Sequence, residues 1–345
     1  MPDKINFKQI PLTSTFLDPR QEFRPTSQEF QVRVDPLTGR TGHFAHFGAI
    51  KPQELDLEQY RKPEIKGFCP FCGEFKTNGT PKYNAELVPE GRLSQGEALL
   101  VPNLFPYDVY CALTIMTDDH VVPLEELHDK RLFDAFSIGA KFLQRVKAAD
   151  TSQPYHIMTW NYMPPSGGSL VHPHQQYFAT ANPGNQYTDE YKAAELFYNR
   201  YQTDFWSELI AVEKEQHERY IGRVGDSHWL IPFVPTGVLG EITGVFPGVF
   251  SIDDFTASQI TDLVHGLQKV FRYFRDNNIY SFNVSIFWGA EGQSFFPAHL
   301  RIVPRTFLNT RDYAPDMNFF QVSLQEPLCV LLPEDLCKEV KKYFY

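Results

Sequence analysis

The run His172-Pro173-His174-Gln175-Gln176 sets two imidazoles and a carboxamide two residues apart. On an extended strand successive side chains alternate between faces, so His172, His174 and Gln176 would share one small surface. Pro173 has no N–H and favours an edge strand, which leaves such a face open to a ligand. Just upstream, Ser166-Gly167-Gly168-Ser169 offers backbone N–H groups and a hydroxyl that can approach a phosphate closely. Phosphoryl chemistry needs a nucleophile in line with the leaving oxygen and donors for the non-bridging oxygens. A neutral imidazole suits the first task, because its ordinary pKa is about 6.5. A strand with two incidental histidines is the plainer reading of the same residues.

Cys69-Pro70-Phe71-Cys72 is the second pattern. Its spacing lets two thiolates meet one tetrahedral zinc ion at about 2.3 Å. A redox pair or two buried cysteines would have the same spacing. The helix pattern of a thioredoxin-like motif does not follow, and there is no second CxxC, so a metal site would have to be completed by histidine or carboxylate. Eleven histidines are candidates. His120, in TDDHVVPLEEL, ends an apolar strand just before a helix and by itself reads as an exposed residue in a cap region.

The elements that must carry these groups follow from hydrophobic period. Residues 1–66 are polar and read as irregular, with a PLTG turn at Pro36–Gly39. Strands are predicted at 98–102, 109–116, 155–160 and 170–180, and an amphipathic helix at 124–149. A long helix is predicted from about 189 to 216. Strands near 229–234 and 245–250, a helix at 256–276, and strands near 280–288 and 298–304 then repeat the alternation. The result is an α+β chain built from a duplicated unit, mostly antiparallel sheet with packed helices, divided into halves 1–190 and 191–345.

Bulk composition narrows the partners. The 345 residues are 42% hydrophobic and 15% aromatic, which is globular, and 30 Phe with 26 Pro favour sheets joined by Pro-punctuated loops. A net charge of -10 with no Lys/Arg run argues against nucleic acid but allows small anions held by local donors. No stretch approaches the roughly 20 apolar residues of a membrane span. Five cysteines, an odd number, and the lack of a signal-like leader suggest a cytoplasmic protein without a disulfide framework.

Taken together, HPHQQ, CxxC and the segments between them resemble the galactose-1-phosphate uridylyltransferase branch of the histidine-triad superfamily. The family's HPHxQ corresponds to residues 172–176, its upstream Asn and Gly-x-Ser to Asn161 and Gly167-Gly168-Ser169, its PLTG turn to Pro36–Gly39, and its nucleotide-contacting Asn-x-Phe to Asn103-Leu104-Phe105. The resemblance implies a duplicated histidine-triad-like fold, with the catalytic motif and a zinc site of Cys69, Cys72, His120 and His172 in the first half. It implies substrate contacts from Asn103, Phe105, Asn161, Gly167, Gly168, Ser169 and Lys51. Departures fall at Gly48 and Lys51, where the family has an Arg pair, and at Leu104, where it has Asp. Some members carry a second metal in the C-terminal half. Glu190 and His299 match two of its ligands, but Pro297 replaces another and no His lies near 285–287, so that site is expected to be absent or degraded.

The implied reaction passes a nucleoside monophosphate, UMP in the parent family, from a nucleotide sugar to a sugar 1-phosphate through a covalent intermediate on His174, in an enzyme of galactose or related carbohydrate metabolism. Gln176 can hydrogen-bond a phosphoryl oxygen but cannot act as acid or base, which suits an ionised phosphate acceptor and disfavours water. Phosphorylases that act on nucleotide sugars or dinucleoside polyphosphates share the layout and differ in using inorganic phosphate. The zinc would be structural, and the family's sites are completed by a partner subunit, which implies a homodimer.

Overall fold

The computed structural model describes residues 4–45, 56–62, 67–308 and 316–345. Its centre is a ten-stranded sheet. The first half supplies β4 (Leu93–Gln95), β5 (Ala98–Pro102), β6 (Tyr110–Ile115), β7 (Tyr155–Tyr162) and β8 (His174–Thr180). The second supplies β9 (Tyr220–Val224), β10 (Ser227–Leu230), β11 (Ile242–Val245), β12 (Ser281–Trp288) and β13 (His299–Arg305). The spatial order is β4-β5-β6-β8-β7-β12-β13-β11-β10-β9. Read inward from either edge, the two halves have the same order, and β7 and β12 meet antiparallel at the middle. The duplication sensed in the sequence is therefore present as topology.

Each half inserts one helix between its third and fourth strands, Asp129–Ala149 in the first and Ala257–Asp276 in the second. Both bury an apolar stripe against the same face of the sheet. The stripe residues Leu132, Phe136, Leu143, Leu263, Leu267 and Phe274 are each at most 2% exposed within one continuous core. Gln268 Nε2 crosses between the halves to the Leu127 carbonyl at 2.6 Å.

The N-terminal region differs from expectation. Residues 8–34 form a hairpin of two eleven-residue strands, β1 (Lys8–Asp18) and β2 (Arg24–Val34), extended into a small sheet by β3 (Thr41–Phe44) and β14 (Leu328–Cys329). Most of β1 and the outer half of β2 are exposed on both faces, so no alternation marks them as strands. The long helix expected at 189–216 is two helices, Asn185–Tyr201 and Phe205–Gln216. Gln202 adopts φ 56 at the break, and Asp204 restarts the chain by accepting the Ser207 N–H at 2.8 Å. The helix expected from 124 begins at Asp129, after a 3₁₀ turn at Leu124–Glu126.

Candidate functional site

The strand carrying HPHQQ begins at His174, so His172 lies just before the ladder. This one-residue boundary separates the two imidazoles. Gln175 and Tyr177 point to the helix side, where both are buried, and the Tyr177 hydroxyl donates to Gln175 at 2.7 Å. His174 and Gln176 point to the opposite face and line a cavity of about 380 Å³.

His172 is wholly buried and turned toward the knuckle. Its Nδ1 lies 3.6 Å from Cys69 Sγ and 3.5 Å from Cys72 Sγ, and His120 Nδ1 lies 3.4 Å from Cys72 Sγ. The four ligand atoms of Cys69, Cys72, His120 and His172 fall within 4.8 Å of one another. Tetrahedral ligands at about 2.3 Å for sulfur and 2.1 Å for nitrogen sit about 3.6 Å apart, so the cluster has the dimensions of a closed metal site. The tautomer agrees. His172 Nε2–H donates to the Thr117 carbonyl at 2.9 Å, which leaves the Nδ1 lone pair toward the sulfurs. Burial pushes His172 down to about 4, the neutral form a ligand requires. The segment bearing Thr117 is itself tied down: its hydroxyl donates to Glu97 at 2.6 Å, and Lys76 bridges Asp118 and the Glu97 carbonyl, each at 2.6 Å.

His174 is held differently. Its Nδ1–H donates to the carbonyl oxygen of His172 at 2.8 Å, so Nε2 is the unprotonated nitrogen of an imidazole on the cavity wall. Burial lowers its pKa, which keeps the ring neutral. The Phe71 ring meets His172 and His174 edge-on at centroid distances of 5.8 and 5.4 Å and so couples the knuckle to the strand.

Of the predicted contact residues, Asn103, Phe105 and Ser169 join His174 and Gln176 on this cavity. The side chain of Asn103 accepts the Phe105 N–H at 3.1 Å and so shapes the loop. Asn161 and His174 each lie one residue past the last β7–β8 pair, Trp160 with Gln175. Gly168 packs so closely on Asn161 that an added Cβ would lie 3.3 Å from Asn161 Cβ. Gly167 has φ +91 and open space around it. Lys51 and Gly48 lie outside the described residues. Tyr107, which sequence reasoning missed, lines the cavity and donates its hydroxyl to Gln176 Oε1. Its only local signal was its place in the loop NLFPYD.

The second half holds the counterpart of this strand. β13 begins at His299 as β8 begins at His174, and His299 Nδ1–H likewise donates to the carbonyl two residues back, that of Pro297, at 3.0 Å. There the resemblance ends. Trp206 stacks on the imidazole at 4.7 Å, and Arg301, in the place of Gln176, pairs with Glu190 at 2.9 Å and Glu241 at 3.1 Å. Glu190, one of the two matched ligands of a second metal, is thus engaged by a cation of the chain itself.

The chain has the fold of a solved GalT-like protein and of a uridylyltransferase. A GalT-like protein from Arabidopsis thaliana superposes with a TM-score of 0.69 at 16% identity, over 90% of this chain and 98% of that one. ADP-glucose phosphorylase from the same plant, solved with bound ADP-glucose, gives 0.67 at 16% identity over 90% and 98%, and a uridylyltransferase gives 0.64 at 16% over 91% and 98%. In sequence, an uncharacterised protein of Archaeoglobus fulgidus is 29% identical over 313 residues, 90% of this chain and 92% of that one. No family model matches the chain. Among the described residues no helix is long and apolar enough to cross a membrane.

Proposed function

We propose that the protein is a zinc-containing nucleotidylyltransferase that moves UMP from a nucleotide sugar to a sugar 1-phosphate through a nucleotidyl group on His174. The observation that carries this reading is the His174 tautomer, with Nδ1–H pinned to the His172 carbonyl and Nε2 the free nitrogen at the cavity. Nε2 attacks the α-phosphorus and forms the N–P bond. The bond to the leaving sugar 1-phosphate breaks, and its electron pair departs on an oxygen that is already part of an ionised phosphate. The positive charge that develops on the ring is stabilised by the carbonyl at Nδ1. An acceptor phosphate oxygen then attacks, the N–P bond breaks and the neutral imidazole returns. No step requires a proton, which matches Gln176 at the third position.

Cys69, Cys72, His120 and His172 would hold a zinc ion through four protein ligands, and it would serve as a structural anchor for the start of β8. Phe71, Val101, Leu104, Phe105, Leu113 and Leu170 make the cavity largely apolar, which suits a nucleoside placed beside the phosphate donors. Inorganic phosphate as acceptor is the second reading, favoured by the likeness to ADP-glucose phosphorylase. All five cysteines are outside disulfides, in keeping with a cytoplasmic enzyme. We take the assembly to be a homodimer, because Phe319, Val322 and Leu324 in and beside the short helix Phe319–Ser323 are more than half exposed. A fully active monomer in light scattering overturns the dimer.

Incubation with UDP-glucose or ADP-glucose labelled at the α-phosphorus tests the reaction. The expected result is an acid-labile adduct that maps to His174, discharged by phosphate or by hexose 1-phosphates as followed by phosphorus NMR. An adduct on another residue, or none with any nucleotide sugar, overturns it.

A further inference from the structure

The side chain of Asn161 is oriented from the other half of the molecule. Asn283 on β12 pairs in register with Asn161 on β7, and Asn161 and His174 each lie one residue past the last β7–β8 pair. Arg305 Nη1 donates to Asn283 Oδ1 at 2.8 Å, and Arg305 is itself clamped by Asp316, with Nε and Nη2 at 2.9 and 2.7 Å from Oδ1. A guanidinium has donors only, so the atom it meets must be the carbonyl oxygen of Asn283. The Nδ2 group then faces the other way and donates to the Ser166 carbonyl at 2.8 Å and to Asn161 Oδ1 at 2.6 Å. The Ser166 carbonyl can only accept, which fixes the same orientation independently. With its oxygen turned to Asn283, the N–H group of the Asn161 amide faces away from that contact.

We propose that Asn283, held by Arg305, is a positioning residue that turns the Asn161 carboxamide so that it presents N–H donors to the phosphoryl oxygens of the group on His174. This rests on the nucleotidyl-His174 reading and gives the second half of the duplicated unit a task in the first half's chemistry. The same contact fastens the glycine loop, since Asn283 grips Ser166 while the Ser166 N–H donates to Ser281 Oγ at 3.1 Å. A phosphoryl group offers acceptors only, so a reversed Asn161 would set oxygen against oxygen.

The test uses Asn283→Asp and Asn283→Ala. The aspartate keeps the Arg305 contact, has no donor for Asn161 and would draw the Asn161 N–H group toward itself. The alanine leaves Asn161 able to rotate. Adduct formation in a single turnover should slow by about 10²-fold in Asn283→Asp, the loss typical of one misdirected oxyanion donor, and by less in Asn283→Ala, with KM little altered. In an Asn161→Ala background neither change should slow the step further. Wild-type rates in Asn283→Asp overturn the proposal. So does a loss of the same size in the Asn161→Ala background, which either variant can report if the other folds poorly. Absence of any adduct in the wild type instead overturns the reading of the site, and this proposal with it.

Discussion

His174 donates its Nδ1 proton to the backbone carbonyl of His172, 2.8 Å away, while the His172 ring itself turns to the two cysteines. Two histidines separated by one proline therefore have separate partners. Replacing His174 with Gly should abolish the adduct and leave metal content and fold largely intact, because that ring touches no ligand atom of the cluster. Added imidazole should restore part of the transfer by filling the vacated space. Replacing His172 should lower metal content, stability and activity together. Metal analysis alongside adduct mapping on both variants separates the roles, and a metal-depleted His174→Gly would contradict the division.

Zinc should be present at about one ion per chain. Cys69→Ser should reduce both zinc content and the midpoint of thermal unfolding, and prolonged chelation of the wild type should do the same, since binding free energy at a structural site is folding free energy. A zinc-free wild type of undiminished thermal stability counts against the site.

How far these arrangements were legible differs from residue to residue. HPHQQ and CxxC were legible because their chemistry is encoded in spacings of two and three residues. The face assignment of His172 was only partly so, because the strand starts one residue after Pro173 and the alternation rule begins there. The partner of His174 Nδ1 is a backbone carbonyl, which leaves no trace in residue identity. Tyr107 reaches Gln176 across 69 positions, and Asn283 reaches Asn161 across 122, contacts that exist only once the sheet has assembled. The β1–β2 hairpin stayed hidden because strands exposed on both faces carry no period-two signal.

Tyr107→Phe removes the hydroxyl that holds Gln176 Oε1. The ring still packs on Phe178 at 5.4 Å, so the fold should be unaffected. Transfer should slow by about tenfold, the size of one hydrogen bond of about 1.4 kcal/mol, and the loss should vanish in a Gln176→Ala background. An equal loss in both backgrounds would assign Tyr107 to something other than Gln176.

Close packing beneath β8 gives a stability test. Gly139, midway along Asp129–Ala149, faces the Tyr177 ring so directly that an added Cβ would lie 1.9 Å from Tyr177 Cζ. Gly266 in the second helix stands in the same relation to Trp229, also at 1.9 Å. Alanine favours a helix over glycine by about 1 kcal/mol, but the ring must move, and overpacking costs about 1–3 kcal/mol or more. Gly139→Ala should thus be net destabilising in urea unfolding and should disturb the strand that bears His174. An unchanged or raised midpoint would show that Tyr177 yields without cost.

The closed counterpart in the second half makes a prediction about pH. Glu190, Glu241 and Asp35 are carboxyls that face Arg301, and Glu190 and Glu241 are at most 3% exposed. Burial pushes the Glu190 carboxyl up, but the Arg301 charge together with His299 and the Gln186 hydrogen bond outweighs it and holds the group at about 2. A carboxyl held below its unfolded value stabilises the fold above about pH 4.5, and this contribution is lost as pH falls toward 2. Arg301→Met removes the cation and leaves burial as the dominant influence. The Glu190 carboxyl of the variant then sits above its unfolded value, which penalises the fold at neutral pH and relaxes as it protonates. Breaking a buried ion pair from one side costs about 3–5 kcal/mol. Urea unfolding should accordingly find the variant weaker by about that amount at pH 7, with the gap to wild type narrowing by pH 4.5. A gap that stays constant with pH would mean that lost packing of the Arg301 stem, and not uncompensated charge, is what the substitution exposes.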